Sequence, residues 1–170
     1  MNYFEFYNIP ISFSPDQAEI KMLFYDNSKR YHPDFHTEAS DLTKEEVLKK
    51  SAYNNEAYKT LKHFDKRLKY ILELKEVIKP TDKDEIPQDF LMGMMDINER
   101  IMEVQFDFNK EHHKQILEEI NDFEQKLTSS VDGLLEKADH SEDELHTIKN
   151  FYYKRKYLKR IQENLEKLSA

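Results

Sequence analysis

All five prolines of this chain fall at or before Pro87, and the whole sequence holds only two glycines. Sheets need turn residues every few positions, and glycine and proline supply many of them. From residue 88 to residue 170 the chain has no proline and is rich in Lys, Glu, Leu and Gln, so the helix is the conformation its residues favour. In the first half the prolines act as punctuation between helices. The expected class is all-α: an antiparallel helical hairpin near the amino terminus, then a three-helix bundle.

A chain of 170 residues fits one ordinary domain or two small ones. It is 38% apolar and 35% charged, yet 11 Phe and 10 Tyr give it bulk for real cores, which disordered chains lack. There is no Cys, so disulfides, thiolate metal sites and a cysteine nucleophile are excluded, and a reducing cytoplasm is the expected compartment. No apolar run approaches membrane-spanning length, and residues 1–13 carry Glu5 and no basic flank, unlike a targeting segment. Residues 1–75 hold 12 basic and 12 acidic side chains; residues 76–170 hold 14 and 22, which places the whole net charge of −8 in the second half. An acidic second half argues against nucleic acid or an anionic membrane as partner.

Along the chain, a first short helix is expected over residues 3–8. Ser14-Pro15-Asp16-Gln17 reads as a second helix start, with Ser14 at the cap, and Ile20, Leu23, Phe24 and Tyr31 give that helix an apolar face. Pro33 stops it, and a loop runs to about residue 41. Asp41 or Thr43 caps a third helix, whose repeat is Leu48, Ala52, Asn55, Tyr58 and Leu61. A fourth covers residues 65–74. Residues 76–87 read as a linker between a domain at 1–75 and a bundle at 88–170, whose helices are expected over 88–108, 111–137 and 141–168. Asp132-Gly133 marks a kink or a close helix contact within the second of these.

Two features point to chemistry. The first is His32-Pro33-Asp34 between two helices. Pro33 fixes φ, so His32 and Asp34 stand on a rigid corner suited to insertion at a partner's interface; the plainer reading is a helix stop with a capping aspartate. The second lies on the helix after Pro87. At about 100° per residue, Phe90, Met94, Ile97, Ile101 and Val104 form one apolar stripe, while Leu91, Met95, Met102 and Phe106, with Met92 at their edge, form another. One stripe suffices for a bundle. The second either packs on a neighbour or forms an adaptable protein-binding patch.

The aromatic first helix, the capped helix ending in Tyr31, the His32-Pro33-Asp34 turn and the helix bearing Asn55, Ala57, Tyr58 and Leu61 together resemble the J-domain of DnaJ-type co-chaperones. Tyr3-Phe4, Ser51-Ala52, Arg67, Tyr70 and Ile71-Leu72 narrow the resemblance to the HscB family, the J-proteins of iron–sulfur cluster assembly. Phe90-Leu91-Met92, Met95-Asp96, Asn98-Glu99 and Tyr157-Leu158-Lys159-Arg160-Ile161 extend it over nearly the whole chain.

The resemblance implies a protein without chemistry of its own. It would stimulate the ATPase of a DnaK/HscA-type chaperone through His32, Pro33 and Asp34, aided by the basic Lys21, Lys29 and Arg30. Tyr25 and Asp26 stand where many J-domains carry a basic pair, which implies a specialised chaperone or a weaker contact. Leu91, Met92, Met95, Asp96 and Glu99, with Tyr157, would hold an IscU-like scaffold protein, while Met102 and Phe106 are expected to be buried against a neighbour.

No cofactor or metal is expected. His112-His113 point about 100° apart on a helix, and the remaining histidines lack ligand spacing. No glycine-rich phosphate loop is present, so the chain is not itself read as an ATPase. Two alternatives are a J-protein with a different client, in which Leu91, Met92 and Met95 pack inside, and a metal-dependent helical enzyme using His32 and Asp34.

Overall fold

A computed structural model describes residues 1–35 and 42–168 of the chain, so the loop expected to run on to residue 41, and Asp41 as a cap, lie outside the described residues. The described residues are helical, with no strand among them, and they form two compact units, Met1–Leu74 and Lys75–Ala170.

In the first unit α1 (Tyr3–Tyr7) opens with a capping box: the Asn2 side chain accepts from the Glu5 N–H, and the Glu5 carboxylate accepts from the Asn2 N–H. Asn8 ends it in the left-handed region at φ 55°, which asparagine tolerates better than most residues. Helix α2 (Gln17–Arg30) is capped by Asp16, not by the expected Ser14. The Asp16 carboxylate takes the N–H groups of both Ala18 and Glu19 and places a negative charge at the positive end of the helix, which a serine hydroxyl cannot do. A single 3-10 turn, Pro33–Phe35, follows. Helix α3 (Lys44–Lys62) starts in the expected capping box of Thr43 and Glu46, and α4 covers Phe64–Leu74.

Helices α2 and α3 run antiparallel, as their register shows. Gln17 reaches the Leu61 carbonyl, Phe24 stacks on Tyr58 at 4.1 Å, Ser28 meets Asn54, and Lys50 lies over the Tyr31 ring. The face that α3 buries is Val47, Asn54, Ala57 and Leu61. The expected repeat through Leu48, Ala52 and Asn55 is one residue out of step, and those three are exposed. The reason is Asn54, a polar residue in the core. Its carboxamide accepts from the Tyr7 hydroxyl at 2.9 Å and donates to the Phe24 carbonyl and the Ser28 hydroxyl, so nothing polar is left unmet. Burial, with the neighbouring Tyr58, pushes the Tyr7 phenol well above its usual range.

Arg67 is the second polar residue in this core. Its guanidinium donates from Nε to the Phe13 carbonyl at 3.0 Å and from Nη1 to the Leu61 carbonyl at 2.6 Å, tying the end of α3 and the Phe13 segment to α4. Burial lowers its affinity for a proton. Replacing Arg67 with Met removes a charged donor from both carbonyls, and such a hydrogen bond contributes about 1.5–3 kcal/mol. Relief of the buried charge offsets part of this. The expected result for Arg67→Met is a loss of about 2–3 kcal/mol, read as an earlier urea midpoint at unchanged slope.

The second unit contains α5 (Gln88–Gly93), α6 (Met95–Phe106), α7 (Lys110–Ser129), α8 (Asp132–Leu135) and α9 (Glu142–Glu166). The expected stripe of Phe90, Met94, Ile97, Ile101 and Val104 is buried against Ile116 and Ile120 of α7 and Leu158 and Leu165 of α9. The helix expected over 88–108 is broken at Met94, directly after Gly93. The Met94 N–H is shared between the carbonyls of Phe90 and Leu91, a 3-10 tightening beside a weak helix former. The helix expected over 111–137 also breaks, at Ser130-Val131. Thr128, Ser129, Ser130 and Val131 are poor helix residues, and the Ser130 hydroxyl bonds back to the Leu127 carbonyl. A Cβ on Gly133 would meet nothing within 4 Å, so close helix contact is not its role. Helix α9 begins with the expected Ser141–Glu144 capping box. The stretch expected as a linker lies along this unit: Ile78 is buried, Ile86 packs on the core, and Asp84 and Glu85 pair with Lys156 and Lys149 at 2.8 and 3.0 Å.

The helix caps make stability depend on acidity. Lys137 and the Ser141 N–H hold the Glu144 carboxyl below its usual range, the Thr43 backbone and hydroxyl do the same for Glu46, and Arg100 does so for Glu119. All three bind protons less tightly folded than unfolded. Their stabilisation is present above the ordinary carboxylate value and is lost as pH falls through the lowered folded values. The melting temperature should therefore fall below about pH 4.5, and Glu46→Gln with Glu144→Gln should flatten that decline in a thermal melt series.

Candidate functional site

The His-Pro-Asp corner is built by the end of α2. The Tyr31 N–H still reaches the Asn27 carbonyl, the last full helical turn, and Pro33 then begins the 3-10 turn. The Asp34 N–H donates to His32 Nδ1 at 3.2 Å, and the Asp34 carboxylate lies 3.8 Å from the same nitrogen. Both the N–H and the carboxylate of Asp34 thus face His32 Nδ1. His32, Pro33 and Asp34 are all exposed. The corner is therefore preordered by its own backbone while its functional groups face solvent.

The basic residues named from the sequence are exposed but do not form one row. Lys21, Tyr25 and Lys29 follow one another at four-residue steps along α2, so an exposed tyrosine stands between the two lysines. Arg30 leaves that row and lies over the Tyr31 ring at 5.6 Å. Lys50 of α3 lies over the same ring at 5.3 Å, adding a cation beside the corner that no local pattern in the sequence reveals.

In the second unit Leu91, Met92, Met95, Asp96 and Glu99 are exposed, Met92 by 65% and Met95 by 66%. Met102 and Phe106, expected to be buried, are exposed by 68% and 95%. Helices α7 and α9 cover the Phe90–Val104 stripe of α5 and α6, and among the described residues Met95, Met102 and Phe106 on the other face of α6 stay exposed. The second stripe is thus a continuous surface. Tyr157 is half-buried at its border: its ring meets Phe90 edge-on at 5.6 Å and its hydroxyl accepts from Asn98 at 2.7 Å. Asp96 pairs with Arg100 at 3.2 Å, and Arg100 also forms a two-point pair with Glu119.

Among the described residues no group of three His, Asp or Glu side chains is placed to hold a metal ion, and no helix is long and apolar enough to cross a membrane.

Residues 86–166 match the family model of the HSCB C-terminal oligomerisation domain. The co-chaperone protein HscB homolog of Acinetobacter baumannii (strain SDF) is 29% identical over 169 residues, covering 98% of this chain and 90% of that protein. The HscB homolog of Colwellia psychrerythraea is 34% identical over 105 residues, covering 61% of this chain and 60% of its own. Two solved structures share the fold. Human co-chaperone HscB has a TM-score of 0.75 at 26% identity, with 98% of this chain and 81% of that one covered. HscB of Vibrio cholerae has a TM-score of 0.71 at 24% identity, covering 98% and 96%. A hairpin ending in His-Pro-Asp and a bundle with a solvent-facing methionine stripe are thus joined in an all-helical fold shared along almost its full length with these HscB co-chaperones, and residues 86–166 match the family of their C-terminal domain.

Proposed function

We propose that residues 1–75 are a J-domain that docks on the nucleotide-binding part of a DnaK/HscA-type chaperone in the cytoplasm and accelerates its ATP hydrolysis. Residues 88–170, joined through 76–87, bind an IscU-like iron–sulfur scaffold and deliver it to that chaperone as client. In this reading His32, Pro33 and Asp34 form the trigger, and Lys21, Lys29 and Arg30 add attraction. Leu91, Met92, Met95, Asp96, Glu99 and Tyr157 contact the scaffold. The chain activates a partner's ATPase and is not an enzyme itself.

The observation that carries this reading is the exposed, internally ordered corner, in which the Asp34 N–H closes on His32 Nδ1. A tip ordered before contact loses little entropy on docking. The exposure of Met92 and Met95 favours a client-binding bundle over the alternative in which they pack inside. The test is chaperone ATP turnover measured with this protein, with and without purified scaffold. More-than-additive stimulation supports the proposal. Stimulation that the scaffold leaves unchanged points to a different client, and no stimulation by either route removes the J-domain assignment.

A further inference from the structure

Phe106 is 95% exposed, and a large apolar ring left in water at a helix end calls for an occupant. At about 100° per residue, Met95, Met102 and Phe106 lie within about 40° of one direction on α6, a strip about 16 Å long. Leu91 and Met92 of α5 continue the exposed apolar surface at its amino-terminal end. On one flank stand Glu99, Glu103 and Asp96, all exposed. Arg100, the sole cation of α6, is engaged by Glu119 and Asp96 and leaves Glu99 and Glu103 unscreened. On the other flank α6 itself presents the uncharged Asn98 and Gln105, with Tyr157 of α9 bonded to Asn98 and the Arg160 guanidinium over the Tyr157 ring at 5.6 Å.

We propose that the client-binding surface runs the length of α6, with Phe106 as a second anchor, and that it takes a protein surface whose apolar ridge is bordered by lysine or arginine. This rests on the reading of Leu91, Met92 and Met95 as the client site. The acidic flank supplies the charge complementarity and repels phosphate-bearing ligands. A second copy fits poorly: in an antiparallel pair Glu99 of one copy would face Glu103 of the other, on units holding 22 acidic against 15 basic residues. Phenylalanine suits an anchor because it presents large area at little rotamer cost, and methionines beside it adapt to the partner's contour. Glu103, Met102 and Phe106 therefore join the residues that select the client.

The test uses the full chain and purified iron–sulfur scaffold protein in calorimetric titrations. The variants are the pair Met102→Gln with Phe106→Gln, the single Glu103→Lys, and Leu91, Met92 and Met95 together changed to Ala. The expected result is about tenfold weaker scaffold binding for the glutamine pair, at an unchanged melting temperature because both side chains are exposed. Binding should weaken further for Glu103→Lys and as salt rises from about 50 to about 300 mM. If the alanine triple loses binding while the glutamine pair binds like wild type, the extension fails and the proposed client role stands. If wild type does not bind scaffold at all, the proposed function fails and the extension with it. Sedimentation showing a wild-type dimer that the glutamine pair dissolves would assign the stripe to a second copy and overturn the proposal.

Discussion

Changing His32 to Gln is expected to remove most of the stimulation of the partner chaperone's ATPase, a loss of about tenfold or more, while the circular dichroism and melting temperature stay as in the parent. The fold should not notice, because His32 is exposed and the hydrogen bond it takes from the Asp34 N–H joins two residues of the same turn. Glutamine keeps a polar side chain able to accept from that N–H, so a loss would report on the ring itself. Asp34→Asn provides the companion: it keeps the shape of the corner and removes the charge 3.8 Å from Nδ1. Equal losses in both variants, with binding of the chaperone weakened and its basal turnover untouched, would fit a corner that acts as one unit. Full stimulation by His32→Gln would sink the trigger assignment outright.

Alternating three- and four-residue steps make the buried stripe of α5 and α6 legible without any structure, because a helix against two neighbours must bury one continuous face. The capping boxes at Thr43 and Ser141 are equally local, needing only residues three apart. The failures are where a distant partner decides. Asn54 is buried because Tyr7, Phe24 and Ser28 converge on it, and no property of α3 alone distinguishes it from the exposed Asn55. The breaks at Met94 and Ser130 come from small differences in helix propensity that summed periodicity hides. At the candidate sites, the corner was legible because proline acts locally. Lys50 was not, since its place beside Tyr31 depends on the register of two helices. Met102 and Phe106 were misplaced because apolar residues at helical spacing are usually core, and only the arrangement of α7 and α9 shows which of two apolar faces is covered.

The same arrangement sets the second large effect. Changing Leu91, Met92 and Met95 to Ala should weaken scaffold binding by about a hundredfold and abolish the extra ATPase stimulation that scaffold provides, while stimulation by the protein alone persists. The reasoning is one of burial. These side chains lie outside the core formed by Phe90, Met94 and Ile97, and alanine is the better helix former, so the bundle should melt no lower than the parent. A partner that covers them would bury three large apolar side chains at once, each worth about 1.5–3 kcal/mol when fully removed from water. Part of that is spent on ordering the flexible methionines, which is why a hundredfold, and not more, is expected. A variant that binds scaffold like the parent, with an unchanged melt, would show that this face is not where the client docks. One that unfolds early would show instead that Leu91, the least exposed of the three, supports the bundle, and Met92→Ala with Met95→Ala alone would then decide the matter.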